Sequence, residues 1–226
     1  MRDVSLDVGP GEIVCVIGPN GAGKTTMLEA IVGLRRRDAG VVSVGARTLT
    51  SFRDHAAVFS FMPDEVTPPV EASVETLVAH TVRCAQRAGS ASWDELLDAL
   101  DLRRQRGVRA GELSRGERKR LALFGALCTH RPLVVLDEPL GAFDPLQLRD
   151  ILAVLRRRAS AGTSLLLSVH QMTEAERVAD RVVLLAQGRT IAAGSREELR
   201  QSLDAPAATL EELFIRALER ASDAAP

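Results

Sequence analysis

Residues 12–18 (EIVCVIG) run apolar and β-branched and then break at glycine, the pattern of a strand buried on both faces. Directly after this glycine-rich break, residues 25–34 carry apolar side chains at helical spacing. A short strand and turn over 40–44, closed by Gly45, and another strand over 57–62, ended by Pro63, follow. Pro68 and Pro69 break the chain, and beyond them 73–86, 93–102 and 114–128 read as three successive helices. Alternation then resumes: strand 133–136, helix 146–159, strand 164–169, helix 173–179, strand 181–186. The tail, 196–203 and 209–222, is helical and amphipathic. Strand–helix alternation predicts an α/β fold with a mainly parallel sheet, and the helical run that interrupts it predicts an inserted helical subdomain. The expected organisation is one domain over 1–226, with a core of 1–66 and 130–195, a helical subdomain of 67–129 and a C-terminal helical tail of 196–226. No internal repeat or low-complexity tract is visible.

Composition narrows the function classes. Apolar residues make up 46% of the chain, enough for a large core, and the formal net charge of −1 gives no general attraction to nucleic acid. No apolar run approaches the roughly 18 residues that a membrane span needs, and the first residues lack the apolar stretch of a signal peptide. Cys15, Cys84 and Cys128 are scattered and odd in number, with no metal or disulfide spacing, and read as thiols of a reducing compartment. Among 29 basic residues only Lys24 and Lys119 are lysine. A chain that otherwise uses arginine keeps the compact ammonium at position 24, where a phosphate would want it.

Position 24 belongs to the strongest motif. Gly18-Pro19-Asn20-Gly21-Ala22-Gly23-Lys24-Thr25 fits G-x-x-x-x-G-K-[ST] at every fixed position, with the expected strand before and helix after. Glycines let backbone N–H groups converge on phosphate oxygens, and the following helix aims its positive end at the same anion. Lys24 is expected to neutralise β- and γ-phosphates, Thr25 to hold Mg²⁺ through its hydroxyl, and Thr26 to help at the α-phosphate. A second motif, Leu133-Val134-Val135-Leu136-Asp137-Glu138, is an apolar strand ending in two carboxylates. Beside a phosphate loop, Asp137 is expected to serve the metal, and Glu138 to orient or deprotonate an attacking water.

With these motifs the chain resembles an ATP-binding cassette ATPase over essentially its whole length. The most specific mark is Leu113-Ser114-Arg115-Gly116-Glu117, which is similar to the family's signature motif and stands 23 residues before Asp137. Ser114 and Glu117 also form an S-x-x-E capping box, so a helix start is predicted there on local grounds alone. The resemblance implies that Ser114 and Gly116 grip the γ-phosphate of a nucleotide held by a second copy, in a head-to-tail dimer with two ATP molecules at the interface. Gly141-Ala142-Phe143-Asp144 resembles the loop that crosses that interface, which brings Asp144 to the nucleotide. His170 sits where the family places its switch histidine, in contact with the γ-phosphate.

Three departures accompany the resemblance. Asp64 stands where the family usually has a glutamine that reaches the metal; a carboxylate can ligate Mg²⁺ but is shorter and charged. The signature has Arg115 for a common glycine and Glu117 for a common glutamine. Relatives also carry an adenine-stacking aromatic and an extra strand upstream of the region matching Val4-Ser5-Leu6. Here no aromatic precedes Phe52, so the small antiparallel β-subdomain is expected to be N-terminally truncated and nucleotide affinity to suffer.

The segment 209–215 (TLEELFI) is similar to the C-terminal part of cassettes that serve drug- and lipid-type exporters. The implied function is ATP hydrolysis that powers export through separate transmembrane permease subunits, from the cytoplasmic face of the membrane. The alternative is a soluble cassette ATPase acting on ribosomes or DNA; such proteins usually carry two cassettes or long basic or coiled-coil insertions, and this chain has one cassette and neither insertion.

Overall fold

In the computed structural model residues 4–86, 93–141 and 143–223 are described. Strand β1 (Ile13–Ile17) is buried at all five positions, because both its faces are covered. Its side chains alternate between two cores: Ile13, Cys15 and Ile17 face the larger one, Val14 and Val16 the smaller. The same alternation runs through β5 (Leu133–Leu136), β6 (Ser164–Val169) and β7 (Arg181–Ala186), which explains why their sequences are continuously apolar. With β4 (Phe59–Met62) and β8 (Arg189–Gly194) they form a six-stranded sheet in the order β4-β5-β6-β1-β7-β8. All neighbours are parallel except β7 and β8.

On the smaller-core face lies α1 (Lys24–Ile31), through Met27 and Leu28, joined by Val4, Leu6 and Val8. The larger core takes α3 (Val74–Gln86), α4 (Trp93–Ala99) and α5 (Arg115–Leu127), all between β4 and β5, with a 3-10 turn at Ala110–Glu112 leading into α5. It also takes α6 (Pro145–Ser160), α7 (Met172–Val178), α8 (Arg196–Ser202) and α9 (Leu210–Asp223). The amphipathic tail therefore packs on the domain: α9 buries Leu210, Leu213, Phe214 and Ala217 and leaves Ile215 exposed. A two-stranded antiparallel hairpin, β2 (Ser43–Val44) and β3 (Arg47–Thr48), makes the separate small sheet.

Several elements differ from expectation: the strand expected over 40–44 is only Ser43–Val44, its partner β3 was not expected, and the helices expected to run to 34 and 102 end at Ile31 and Ala99. The strand expected from residue 57 begins at Phe59, because α2 (Phe52–Val58) occupies the preceding residues. A capping box starts that helix: the Ser51 hydroxyl accepts from Asp54 N–H while the Asp54 carboxylate accepts from Ser51 N–H. His55 then anchors it, buried, with Nδ1 2.8 Å from the Ile31 carbonyl oxygen. Strand β8 was not expected, since RTIAAG has no strong strand pattern. It forms because Gln187 and Gly188 both take positive φ (49° and 75°), the turn that lets an antiparallel strand fold straight back.

Candidate nucleotide site

In a parallel sheet every strand ends at the same edge, and the register pairs Met62 with Leu136, Leu136 with Leu167, and Ile17 with Val169. Asp64, Asp137, Glu138, Gly18 and His170 each follow one of these strand ends, so four separate chain segments meet at one edge. A cavity of about 300 Å³ opens there, lined by Pro19, Asn20, Gly21, Gly23, Lys24, Thr25, Thr26, Asp64, Glu138 and His170.

The loop between β1 and α1 is held in shape by local constraints. A Cβ on Gly18 would stand 2.2 Å from the Leu185 carbonyl oxygen, so only glycine fits against β7. Gly23 caps α1 at φ 101°, left-handed backbone that lets the loop turn into the helix without a side-chain cap. The orphan N–H groups of the first turn of α1 thus border the cavity. Lys24 is nearly buried and folds back, its Nζ donating to Gly18 O at 2.8 Å and standing 3.6 Å from Glu138 Oε1.

Glu138 is the centre of the charge pattern. His170 Nε2 lies 3.4 Å from the same Oε1. Burial pushes the Glu138 carboxyl above its usual range, while the charges of His170 and Lys24 pull it down and those of Asp137 and Asp64 push it up. Its backbone is left-handed (φ 52°), an uncommon setting for a non-glycine residue. Asp137 is fully buried and its Oδ2 has no hydrogen-bond partner among the described residues. A buried carboxylate oxygen left unpaired fits a cation or its water shell. Among the described residues no three His, Cys, Asp or Glu side chains are placed to hold a metal ion by themselves. Mg²⁺ takes one or two protein oxygens and fills its shell with phosphate and water, so the unpaired Asp137 Oδ2 fits it.

Ser168, missed in the sequence, completes this arrangement. Its fully buried hydroxyl donates to Asp137 Oδ1 at 2.5 Å and accepts from Glu138 N–H at 2.8 Å. One side chain thus fixes both acidic residues. The signal available in sequence was a serine inside a wholly apolar strand, since a buried hydroxyl must find partners. Lys119 was noted only as a compositional oddity; it is buried on α5 and donates to Asp64 Oδ1 at 2.9 Å.

Ser114, Gly116 and Asp144 do not line the cavity. Ser114 caps α5 in a full capping box with Glu117, as expected. Gly116 lies in the first turn of that helix. Asp144 caps α6, accepting from Leu146 and Gln147 N–H, both at 2.9 Å. Ala142, part of the same expected loop, lies outside the described residues.

Comparison with known proteins gives the family. Residues 1–141 match the ABC transporter family. The lipopolysaccharide export system ATP-binding protein LptB of Acidithiobacillus ferridurans is 32% identical over 210 residues, covering 88% of this chain and 85% of LptB. This chain belongs to the ABC transporter family. It is an ATP-binding ATPase of that family. Another relative is the aliphatic sulfonates import ATP-binding protein SsuB of Cupriavidus necator, 34% identical over 230 residues, with 100% of this chain and 74% of SsuB covered. A solved ATP-binding subunit of an ABC transporter superposes with a TM-score of 0.86 at 28% identity, covering 96% of this chain and 92% of that one.

Proposed function

We propose that this ATPase drives export through separate transmembrane permease subunits, and that it works as a head-to-tail dimer with Mg-ATP between two copies. The observation that carries the reading is the convergence of Lys24, Glu138 and His170 around one cavity at the mouth of the phosphate loop. Loop N–H groups and Lys24 bind the phosphates; Thr26 meets the α-phosphate. When bound, Mg²⁺ neutralises phosphate charge, held by Thr25 and Asp137 with the nucleotide's own oxygens, while Asp64 has its Oδ2 left to offer once Lys119 holds Oδ1. Glu138 accepts a proton from the attacking water at Oε1; its upward-shifted carboxyl makes it a better base than a solvated glutamate. His170, beside that oxygen, steadies the γ-phosphate. Ser114 and Gly116 lie away from the cavity of their own chain, which agrees with their serving the nucleotide of the partner copy, with Asp144 at the same interface.

The core of 1–66 and 130–195 then binds nucleotide, the helical subdomain of 67–129 presents the signature, and 196–226 buttresses the core. No described helix is long and apolar enough to cross a membrane. In this proposal the transport path belongs to partner chains, and this subunit sits against the cytoplasmic face. Export rests on the tail helix α9 and on the likeness to LptB; the relative SsuB serves import, so partner identity tests the direction. Glu138→Gln tests the core of the proposal. The variant is expected to bind ATP, lose hydrolysis by about a hundredfold or more, and elute as a dimer on gel filtration only with Mg-ATP. A monomer at saturating ATP overturns the dimer mechanism. Purification of the native complex is expected to bring down membrane proteins; ribosomal proteins in their place would point to the soluble alternative.

A further inference from the structure

The chain's two lysines both end at carboxylates of the same cavity, Lys24 at Glu138 and Lys119 at Asp64. Lys24 belongs to the phosphate loop; Lys119 does not. Its side chain is only 6% exposed, whereas that of Asp64 is 39% exposed and lines the cavity wall. Lys119 sits on α5 five residues after the cap Ser114, so the ammonium that grips the cavity wall is carried by the helix whose first turn holds the signature residues. Further along, α5 is pinned to β4 by the Ser60 hydroxyl donating to Ala126 O at 2.9 Å. The Lys119–Asp64 pair makes the second tie, near the other end of the helix. Lys119 also helps neutralise the buried Glu174 of α7, whose carboxyl is pushed up by burial and by Glu138 and pulled down by Lys119 and Arg177.

We propose that Lys119 is a positioning residue that sets Asp64 in the cavity wall, and that the Asp64–Lys119 pair is a mechanical tie carrying nucleotide occupancy from the cavity to the first turns of α5. The second part rests on the reading that this cavity takes Mg-ATP. The physical reason is that a buried ammonium cannot part from its counter-charge cheaply, so a ligand that fixes Asp64 also fixes the helix bearing Lys119. Both directions of the coupling follow from linkage: a freed α5 weakens the cavity, and an empty cavity leaves α5 freer.

The test uses the full chain as wild type, Asp64→Asn, Lys119→Met and the double variant. Chemical unfolding without nucleotide reads the pair itself: each single change is expected to lower the midpoint, and the double change to lower it by clearly less than the sum. Hydrogen exchange with and without Mg-ADP, which lacks the γ-phosphate that a partner copy's Ser114 and Gly116 would grip, reads the tie. In wild type, nucleotide is expected to slow exchange at amides 18–26 and also, about fivefold or more, at amides 115–121. In the double variant the protection at 18–26 is expected to remain and that at 115–121 to vanish. Equal protection of α5 in wild type and double variant overturns the tie, and additive midpoints overturn the positioning role. Absence of protection at 18–26 in wild type overturns the nucleotide reading itself and the tie with it, and is told apart by its location.

Discussion

Replacing Ser168 by alanine removes one oxygen from a fully buried position and strands two polar groups at once. Asp137 Oδ1 loses its 2.5 Å donor and Glu138 N–H its 2.8 Å acceptor. An unsatisfied buried N–H costs about 1–3 kcal/mol, and a carboxylate oxygen deprived of its donor at least as much, so the loss is about 3 kcal/mol after relaxation. For a domain of this size that lowers Tm by about 6–12 °C. The functional effect is separate. Asp137 Oδ2 is already unpaired, so losing the Oδ1 contact frees the carboxylate to rotate, and Glu138 loses the bond that holds its left-handed backbone. Misplacement of a catalytic group by about 1 Å costs about a hundredfold. The expected result is kcat for ATP hydrolysis down tenfold to a hundredfold, with KM for ATP changed less than about twofold, because the loop at 18–26 keeps its own contacts. Ser168→Thr keeps the hydroxyl but adds a methyl group to a full site. It is expected to recover most of kcat while remaining less stable than wild type by about 1–3 kcal/mol. An alanine variant with parental kcat at a lowered Tm would refute the positioning role, since stability alone would then account for the serine.

Gly18→Ala places a methyl 2.2 Å from a backbone oxygen of β7, so the loop must move; loss of ATP binding by calorimetry and a stability loss of about 3 kcal/mol are expected. Burial pushes the Cys128 thiol up to about 11 and raises Cys15 as well, while Cys84 is exposed, so Ellman's reagent is expected to titrate one thiol in the native protein and three in guanidinium. Glu174 is held above its usual carboxyl range by burial first and by the Glu138 charge next. Its folded value exceeds the unfolded one, so the protonated form favours the fold below about pH 4.5, and stability falls as pH rises through the raised value. Glu174→Gln is therefore expected to flatten the decline of Tm with pH above that point; an unchanged profile counts against the assignment.

The strands of the sheet were legible because their burial leaves no room for other chemistry. β5, β6 and β7 have the same ends in sequence and in structure, set by an apolar run on one side and a polar or turn residue on the other. The phosphate loop was legible for the opposite reason: its glycines and lysine are required by backbone and charge at fixed spacing. What was not legible depends on contacts between distant segments. Residues 57 and 58 look like strand until the capping box at Ser51 claims them for α2. The hydroxyl of Ser168 gains its meaning only when β5 lies beside β6, 30 residues away in sequence from Glu138. Asp64 reads as a free carboxylate until α5 brings Lys119 against it.

The same distinction applies within the site. The cavity is lined by loop backbone, the Asn20 amide, hydroxyls, carboxylates, a lysine and a histidine; none of the lining residues is a phenylalanine, tyrosine or tryptophan. Such walls recognise charge and its geometry. In the Mg-ATP reading proposed above, the binding free energy would concentrate on the triphosphate end of the nucleotide, where N–H groups and Lys24 act on phosphate charge directly and the Asp137 carboxylate acts through the metal. Phosphate charge is also what differs between the states before and after hydrolysis. On that reading the cavity would sense the number of phosphates more sharply than the base, and the ties at Ser168 and Lys119 place that sensing against β6 and α5, two of the elements through which a change in the cavity can reach the rest of the molecule.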